Sequence, residues 1–207
     1  MNPATSDLLY GIPDGIDYAA ESADLDLQDV PKERIEKVKD LLNSSDEYVV
    51  FQAARILTSW GEDAGFNKLA YLIDTDNIDG YITHRLHGYD DTLYHVLWAF
   101  RSYFSQKYNA KEWNEDMRTK IFPYISKIID VSKIQPFDIS SLFSFVERNH
   151  FDEYIPLLKD YLESIIGYPE IHGWKIHDAL EFFLKIDPDF VNRLLKEKGK
   201  TLKDFNF

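Results

Sequence analysis

The chain has 207 residues, a formal net charge of −13 and no cysteine. A chain of this length buries roughly 70% of the surface that its unfolded form exposes, so a compact domain with a real core is expected. Without cysteine, disulfides, a thiolate nucleophile and Cys-based zinc or iron–sulfur sites are excluded. The acidic excess argues against direct binding of nucleic acid, because phosphate backbones are held mainly by Lys and Arg.

Neither a membrane span nor a signal peptide is indicated by the sequence. The longest uncharged stretches are under half of the ~20 apolar residues that a membrane span needs. The opening residues MNPATSDLLYGIPDG lack the basic and apolar regions of a signal peptide. We therefore expect a cytoplasmic protein without membrane contact.

Residues 1–30 are predicted to form an acidic N-terminal arm, and residues 31–207 a helical domain. Residues 1–31 carry seven acidic side chains and no Lys or Arg. Gly11, Pro13 and Gly15 break any helix, although the apolar residues around them could dock. The arm is interpreted either as a partly ordered, solvated segment or as an acidic contact segment.

Helical patterns follow from Pro31 onward. Apolar residues recur at one-face spacing after Pro31, and Asp46 is predicted to cap a helix that runs to Trp60. The turn EDAG then leads into a partner helix at 66–74. Further helix pairs are predicted, and their first helices begin at Asp46, Asp91, Asp138 and Trp174. The partner helices FNKLAYLID, FPYISKIID and IPLLKDYLE share a pattern, and Pro123, Pro156 and Pro188 are placed in first turns.

The segment SDEYVVFQAARILTSWGEDAGFNKLAYLID (45–74) resembles a HEAT repeat. It has Asp at the cap, paired alanines in mid-helix, a glycine in the turn and a second helix that ends in Asp. The resemblance extends over residues 45–198 as four irregular repeats. It implies an all-α fold, an irregular HEAT-like α-solenoid of about four helix pairs preceded by the acidic arm.

The connection at 74–90, DTDNIDGYITHRLHGYD, is longer than the ~12 to 15 residues usual for a structureless loop. It is rich in acidic and aromatic residues, and its HGY sequence is repeated as HGW at 172–174. The two corners are interpreted either as tight helix entries or as paired contact corners on one edge. The predicted partner-binding residues are Asp76, Asp79, Tyr81, Arg85, His87, Tyr89, Asp90, Asp91, His172 and Trp174.

Patterns for metal or catalytic chemistry are weak. DTDNIDG fails the register of a calcium loop, because Ile78 and Asp79 replace a ligand and the glycine. His84 and His87 have a spacing compatible with a metal, and ordinary polar contacts in the loop are the alternative. The pair His177–Asp178 is similar to the dipeptide of the HD phosphohydrolases, but too few residues follow it. No cofactor, metal or catalytic residue is predicted.

An acidic helical repeat chain without a catalytic motif is most simply a binding module. The whole chain resembles the immunity proteins of contact-dependent growth inhibition and related polymorphic toxin systems. That resemblance implies a monomer, or a 1:1 complex in which a basic toxin domain, often a nuclease, is occluded. The alternative is a HEAT-like scaffold or regulatory adapter that binds another protein, and the third choice is a metal-dependent HD-type phosphohydrolase.

Overall fold

The computed structural model describes residues 1–205. These residues form ten α-helices and no β-strand, so the predicted all-α class is confirmed. None of the described helices is both long enough and apolar enough to cross a membrane. The helices are α1 (Pro3–Tyr10), α2 (Lys32–Asp40), α3 (Glu47–Ser59), α4 (Asp63–Asp74), α5 (Thr92–Asn109), α6 (Glu115–Ser132), α7 (Ser140–Asn149), α8 (Ile155–Ile165), α9 (Pro169–Ile186) and α10 (Pro188–Glu197).

Several helices begin where local chemistry predicts. The Asp46 carboxylate caps α3, because its Oδ1 accepts from the backbone N–H groups of Tyr48 and Val49 at 3.0 and 3.3 Å. Pro156 and Pro188 lie in the first turns of α8 and α10. A proline costs little there because the first amide groups of a helix have no intrahelical acceptor.

Two predicted helix starts are wrong. Helix α9 begins at Pro169, five residues before Trp174. Helix α6 begins at Glu115, so Pro123 lies inside the helix rather than in its first turn. The start of α6 is set by Asn114, whose Oδ1 accepts from the backbone N–H of Met117 at 3.0 Å. An asparagine cap upstream therefore outweighs the preference of proline for a first turn.

The chain divides into two compact units, a first unit Met1–Ile125 and a second unit that begins at Ser126. In the first unit, α3 packs against both α4 and α5. Helix α3 is buried over almost its whole length, from Val49 to Ser59. It is the centre of the first unit.

The acidic N-terminal segment packs onto this first unit. Leu9 and Leu25 are fully buried. The indole Nε1 of Trp60 donates to the carbonyl oxygen of Ser22 at 2.8 Å, and Arg34 Nε donates to the carbonyl oxygen of Leu8 at 2.9 Å. The segment is therefore held by apolar burial and by hydrogen bonds, while its acidic side chains lie mostly at the surface.

Gly65 allows α4 to approach α3 closely. A Cβ atom at this position would lie 2.5 Å from the backbone nitrogen of Thr58 and 2.7 Å from the carbonyl oxygen of Ala54. Both distances are far below van der Waals contact. The glycine that the sequence places in a turn thus lies in the first turn of α4, where its missing side chain permits helix packing.

The second unit is built around α9, which packs against α7, α8 and α10. Its core includes Leu158, Leu162 and Phe183, each fully buried. Lys175 is also buried, and its Nζ donates to the carbonyl oxygens of Ser132, Gln135 and Phe137. This ammonium group satisfies carbonyls at and beyond the end of α6, as a basic side chain does at a helix C-terminus.

Two of the predicted helix pairs are in contact, since α3 packs on α4 and α9 packs on α10. The four-repeat solenoid over residues 45–198 stays a prediction.

Candidate functional site

The connection between α4 and α5, residues 75–91, is folded. Thr83 and Asp90 form an antiparallel bridge, and His84 N donates to the Tyr89 carbonyl oxygen at 2.8 Å. The turn is closed by Gly88, whose φ of 71° favours glycine and whose N–H donates to the His84 carbonyl oxygen at 2.9 Å. The unusual length of the 75–91 connection is therefore used to build a small hairpin on the surface.

This hairpin is anchored to the core by a ring stack, by hydrogen bonds and by a buried side chain. The ring of Tyr81 stacks on Phe51 of α3, with centroids 4.4 Å apart and an angle of 5° between planes. The hydroxyl oxygen of Thr92 accepts from the backbone N–H groups of Tyr81 and Ile82 at 3.0 and 2.9 Å. Ile78 is buried beneath the same segment. These contacts hold the hairpin in one orientation relative to α3 and α5.

Three rings form a stacked cluster at the hairpin. His84 lies 5.0 Å from His87 and 4.6 Å from Tyr89, measured between ring centroids. His84 Nδ1 accepts from the backbone N–H groups of Leu86 and His87 at 3.3 and 3.2 Å. Within residues 1–205 no group of three or more His, Asp or Glu side chains is placed to hold a metal ion. The imidazole of His84 is used to shape the turn.

Three carboxylates in the connection, Asp76, Asp79 and Asp90, form no ion pair with any residue in the described range. Asp90 is held in place, because its Oδ2 accepts from Gly80 N at 2.8 Å and its Oδ1 from Thr92 N at 3.0 Å. Partial burial raises the pKa of Asp79, and the negative charges of Asp90 and Asp76 raise it further. The three groups thus form one locally unneutralised patch.

Asp91 lies at the start of α5, where the sequence predicts that a helix begins. It occupies the N-cap position of α5, yet within the described chain its side chain makes no capping hydrogen bond, and Asp90 accepts from Thr92 N instead. Asp91 is only 8% exposed, and its Oδ2 lies 3.8 Å from His95 Nε2. Burial, followed by the nearby Arg55 charge, lowers the pKa of His95 to about 4, so the imidazole is neutral and forms no ion pair with Asp91.

The surface of the hairpin combines charge and apolar area. Arg85 and His87 are exposed, and Tyr81 and Tyr89 are half-buried. Leu86 at the tip is 85% exposed, although sequence reasoning did not select it. In the sequence, Leu86 stands out only as an apolar loop residue between Arg85 and His87. The structure thus brings eight of the ten predicted residues into one connection.

The other two predicted residues lie in α9 of the second unit. His172 is 3% exposed, and its Nδ1 has no hydrogen-bond partner among the described residues, whereas Trp174 is 47% exposed. The predicted similarity between the HGY and HGW corners is wrong in structural terms, because Gly173 lies inside a helix while Gly88 closes a turn. Trp174 instead follows Tyr168 and Ile171 as exposed apolar residues at helical spacing.

The pair His177–Asp178 lies on the same helix, with His177 Nδ1 3.7 Å from Asp178 Oδ1. Burial is the main cause that raises the pKa of Asp178. No third ligand joins the pair to form a metal-binding group within residues 1–205.

Sequence reasoning also missed Arg55, which is 5% exposed in α3. Its signal is a single cationic residue inside the apolar run VVFQAARILTSW. A cavity of about 210 Å³ lies beside it, and a second cavity of about 800 Å³ lies between α2 and the end of α5.

No protein-family model, curated protein or solved structure matches this chain.

Proposed function

We propose that this protein is an immunity-type binding protein that neutralises a basic toxin domain by occluding its active site. The observation that carries the proposal is the patch formed by Asp76, Asp79 and Asp90, whose carboxylates lack ion pairs on an anchored hairpin. A surface of fixed shape and unneutralised charge binds a cationic partner with little ordering cost.

Two further features support a protein as the partner. Leu86 offers an exposed apolar anchor at the tip of the hairpin, close in sequence to Arg85 and to the ring cluster. Interfaces usually combine apolar or aromatic anchors with charged residues around them. The net charge of −13 steers cationic surfaces toward the molecule and repels nucleic acid. A nuclease domain has a cationic substrate cleft of the kind that these carboxylates would cover.

The test is co-expression with the basic C-terminal toxin domain of a large secreted protein encoded directly upstream of this chain. The unaltered protein is expected to restore growth and to bind the toxin domain in a 1:1 complex. The variant Asp76→Asn/Asp79→Asn is expected to weaken binding at least about tenfold and to protect poorly. Asp76 has a φ of 53°, which asparagine tolerates well, so the backbone should not change.

Asp90 is left unchanged in this variant because it accepts two backbone hydrogen bonds. The matched control is Asp14→Asn/Asp17→Asn, which removes the same charge from exposed positions in the N-terminal segment. If the two variants weaken binding equally, net charge alone determines the affinity. If Asp76→Asn/Asp79→Asn binds as tightly as the unaltered protein, the hairpin is not part of the interface. The absence of a toxin gene upstream of the gene for this chain would favour the scaffold or adapter function.

A further inference from the structure

The small cavity beside Arg55 has the features of a ligand site. It has a volume of about 210 Å³ and lies in the first unit, between the N-terminal segment and helices α3 and α5. Its lining includes Glu21, Asp24, Arg55, Tyr94, His95 and Trp98.

Arg55 lines this cavity and has an unused hydrogen-bond donor. Its Nε donates to Gln52 Oε1 at 3.1 Å, and its Nη1 lies 3.5 Å from Glu21 Oε2. Its Nη2 has no hydrogen-bond partner in residues 1–205, and this nitrogen is not among the fully enclosed polar atoms. Arg55 is 95% buried as a residue, and its open Nη2 is placed to bind a carboxylate that enters the cavity.

The cavity also carries negative charge. The Glu21 side chain is 58% exposed, and the Asp24 carboxylate is positioned by a hydrogen bond that its Oδ2 accepts from Glu21 N at 2.9 Å. A simple anion on Arg55 would be repelled by these two carboxylates. A ligand that carries an ammonium group beside its carboxylate would satisfy both signs of charge.

The remaining wall is aromatic and uncharged. Trp98 is 40% exposed, and the guanidinium of Arg101 lies 5.3 Å from the centroid of its ring. Tyr94 and His95 contact each other edge to face, with centroids 5.1 Å apart. Because the pKa of His95 is lowered to about 4 by burial, its imidazole adds no positive charge at neutral pH. Such a wall suits a short apolar group.

We propose that this cavity binds a small zwitterion of the α-amino-acid type. The ligand carboxylate bonds to Nη2 of Arg55, the ammonium group faces Glu21 and Asp24, and a short apolar side chain contacts the aromatic wall. This site is independent of the proposed toxin binding, which uses the hairpin carboxylates.

The probe is L-valine, compared with two analogues that each lack one charge. 3-Methylbutanoate keeps the carboxylate, and 2-methylpropylamine keeps the ammonium group. Binding is followed by NMR through the indole N–H signal of Trp98, which is assigned with the variant Trp98→Phe. L-Valine is expected to shift this signal in a saturable way, at concentrations at least about tenfold below those that either analogue requires.

Two variants test the roles of the charged groups. Glu21→Gln lies at an exposed position and is expected to weaken valine binding while it strengthens binding of 3-methylbutanoate. Arg55→Lys is expected to weaken both about tenfold or more, since lysine cannot reproduce the guanidinium geometry. Circular dichroism melting shows whether each variant is folded. If Arg55→Lys does not fold, the two ligand affinities of Glu21→Gln test the proposal.

Three results would overturn the proposal. One is the absence of any Trp98 shift with L-valine, and another is binding of either single-charge analogue as tight as that of valine. The third is tighter binding of inorganic phosphate than of valine, which would make the cavity an anion site.

Discussion

At the scale of single residues, three positions in the core have unusual chemistry. Gly65 has no side chain, which lets α4 approach α3 closely. Lys175 buries its charge against backbone carbonyl groups. Arg55 is buried with one donor unused. Each of these residues gives a measurable consequence when it is replaced.

Gly65→Ala is expected to destabilise the protein by about 1 to 3 kcal/mol or more, because the new methyl group would overlap backbone atoms of α3. The free energy of unfolding is measured by chemical denaturation. The control is Gly173→Ala, where an added Cβ meets nothing within 4 Å. In the interior of α9, alanine is expected to stabilise by about 0.5 to 1 kcal/mol. Equal effects at the two positions would contradict the close approach of α4 to α3.

Lys175 is expected to make stability depend on alkaline pH. Burial lowers its pKa from 10.5 to about 8, while the Asp138 charge opposes this change. Above pH 8 the folded state loses this proton before the unfolded state does, so the Lys175 contribution to the free energy of unfolding rises with pH up to about 10.5. Below pH 8 both states are protonated, and the full cost of burying the charge is present.

This dependence is measured as the difference between the unaltered protein and Lys175→Met. Between pH 7 and 9.5 the unaltered protein is expected to gain about 2 kcal/mol relative to the variant. At any single pH, the difference in stability also includes the loss of the hydrogen bonds from Lys175 to three carbonyl groups. Only the change of this difference with pH reports the titration of Lys175. A constant difference across this range would show that Lys175 titrates normally.

At the scale of elements, the 75–91 connection is the feature that separates this chain from a simple run of helix pairs. Its hairpin is positioned by the stacking of Tyr81 on Phe51 and by the hydroxyl of Thr92. Asp90 links the middle of the connection to the start of α5, because it accepts from both Gly80 N and Thr92 N. The same residue therefore contributes charge to the surface and order to the backbone.

Asp90→Ala is expected to loosen the connection without unfolding the helices around it. Loss of the two accepted hydrogen bonds should lower the local opening free energy by about 1 to 2 kcal/mol. Hydrogen exchange at the amides of Gly80 and Thr92 measures this change. Asp79→Asn is the comparison, because that residue has a pKa raised by its surroundings and its neutral form relieves repulsion. Faster exchange in Asp79→Asn than in Asp90→Ala would contradict the assigned roles.

At the scale of the whole molecule, charge is the dominant property. The formal net charge is −13, and much of it comes from the N-terminal segment, which packs its apolar side against α2 and α3. The acidic side chains of this segment are therefore held at fixed positions on the first unit. A fixed field of one sign accelerates encounters with an oppositely charged protein.

The rate of association with the basic toxin domain is expected to fall at least about tenfold when salt is raised from about 50 to 500 mM. The dissociation rate should change much less, since screening acts mainly before contact. Stopped-flow fluorescence or surface plasmon resonance measures both rates. An association rate independent of salt would remove electrostatic steering from the proposed function.

Features set by neighbouring residues were predicted from the sequence. The spacing of apolar residues predicted an all-α chain, and Asp46, Pro156 and Pro188 mark helix starts where the structure has them. The unusual length of the connection after α4 also marked the segment that carries most of the candidate residues. These signals are readable because capping, proline geometry and amphipathic spacing act within one or two helical turns.

Features decided by contacts between distant residues could not be read in this way. The burial of His172 and of Arg55 depends on packing against other elements. Arg55 appears in the sequence as one charge in an apolar run, and only the fold places Glu21 and Trp98 around the same cavity. The sequence by itself determined which segments are helical from Pro31 onward and how acidic the molecule is, because those properties are local or additive. Helix α1 (Pro3–Tyr10) was not predicted. The tertiary structure alone decided which charges are paired, buried or left open, because that depends on which distant side chains the fold brings together.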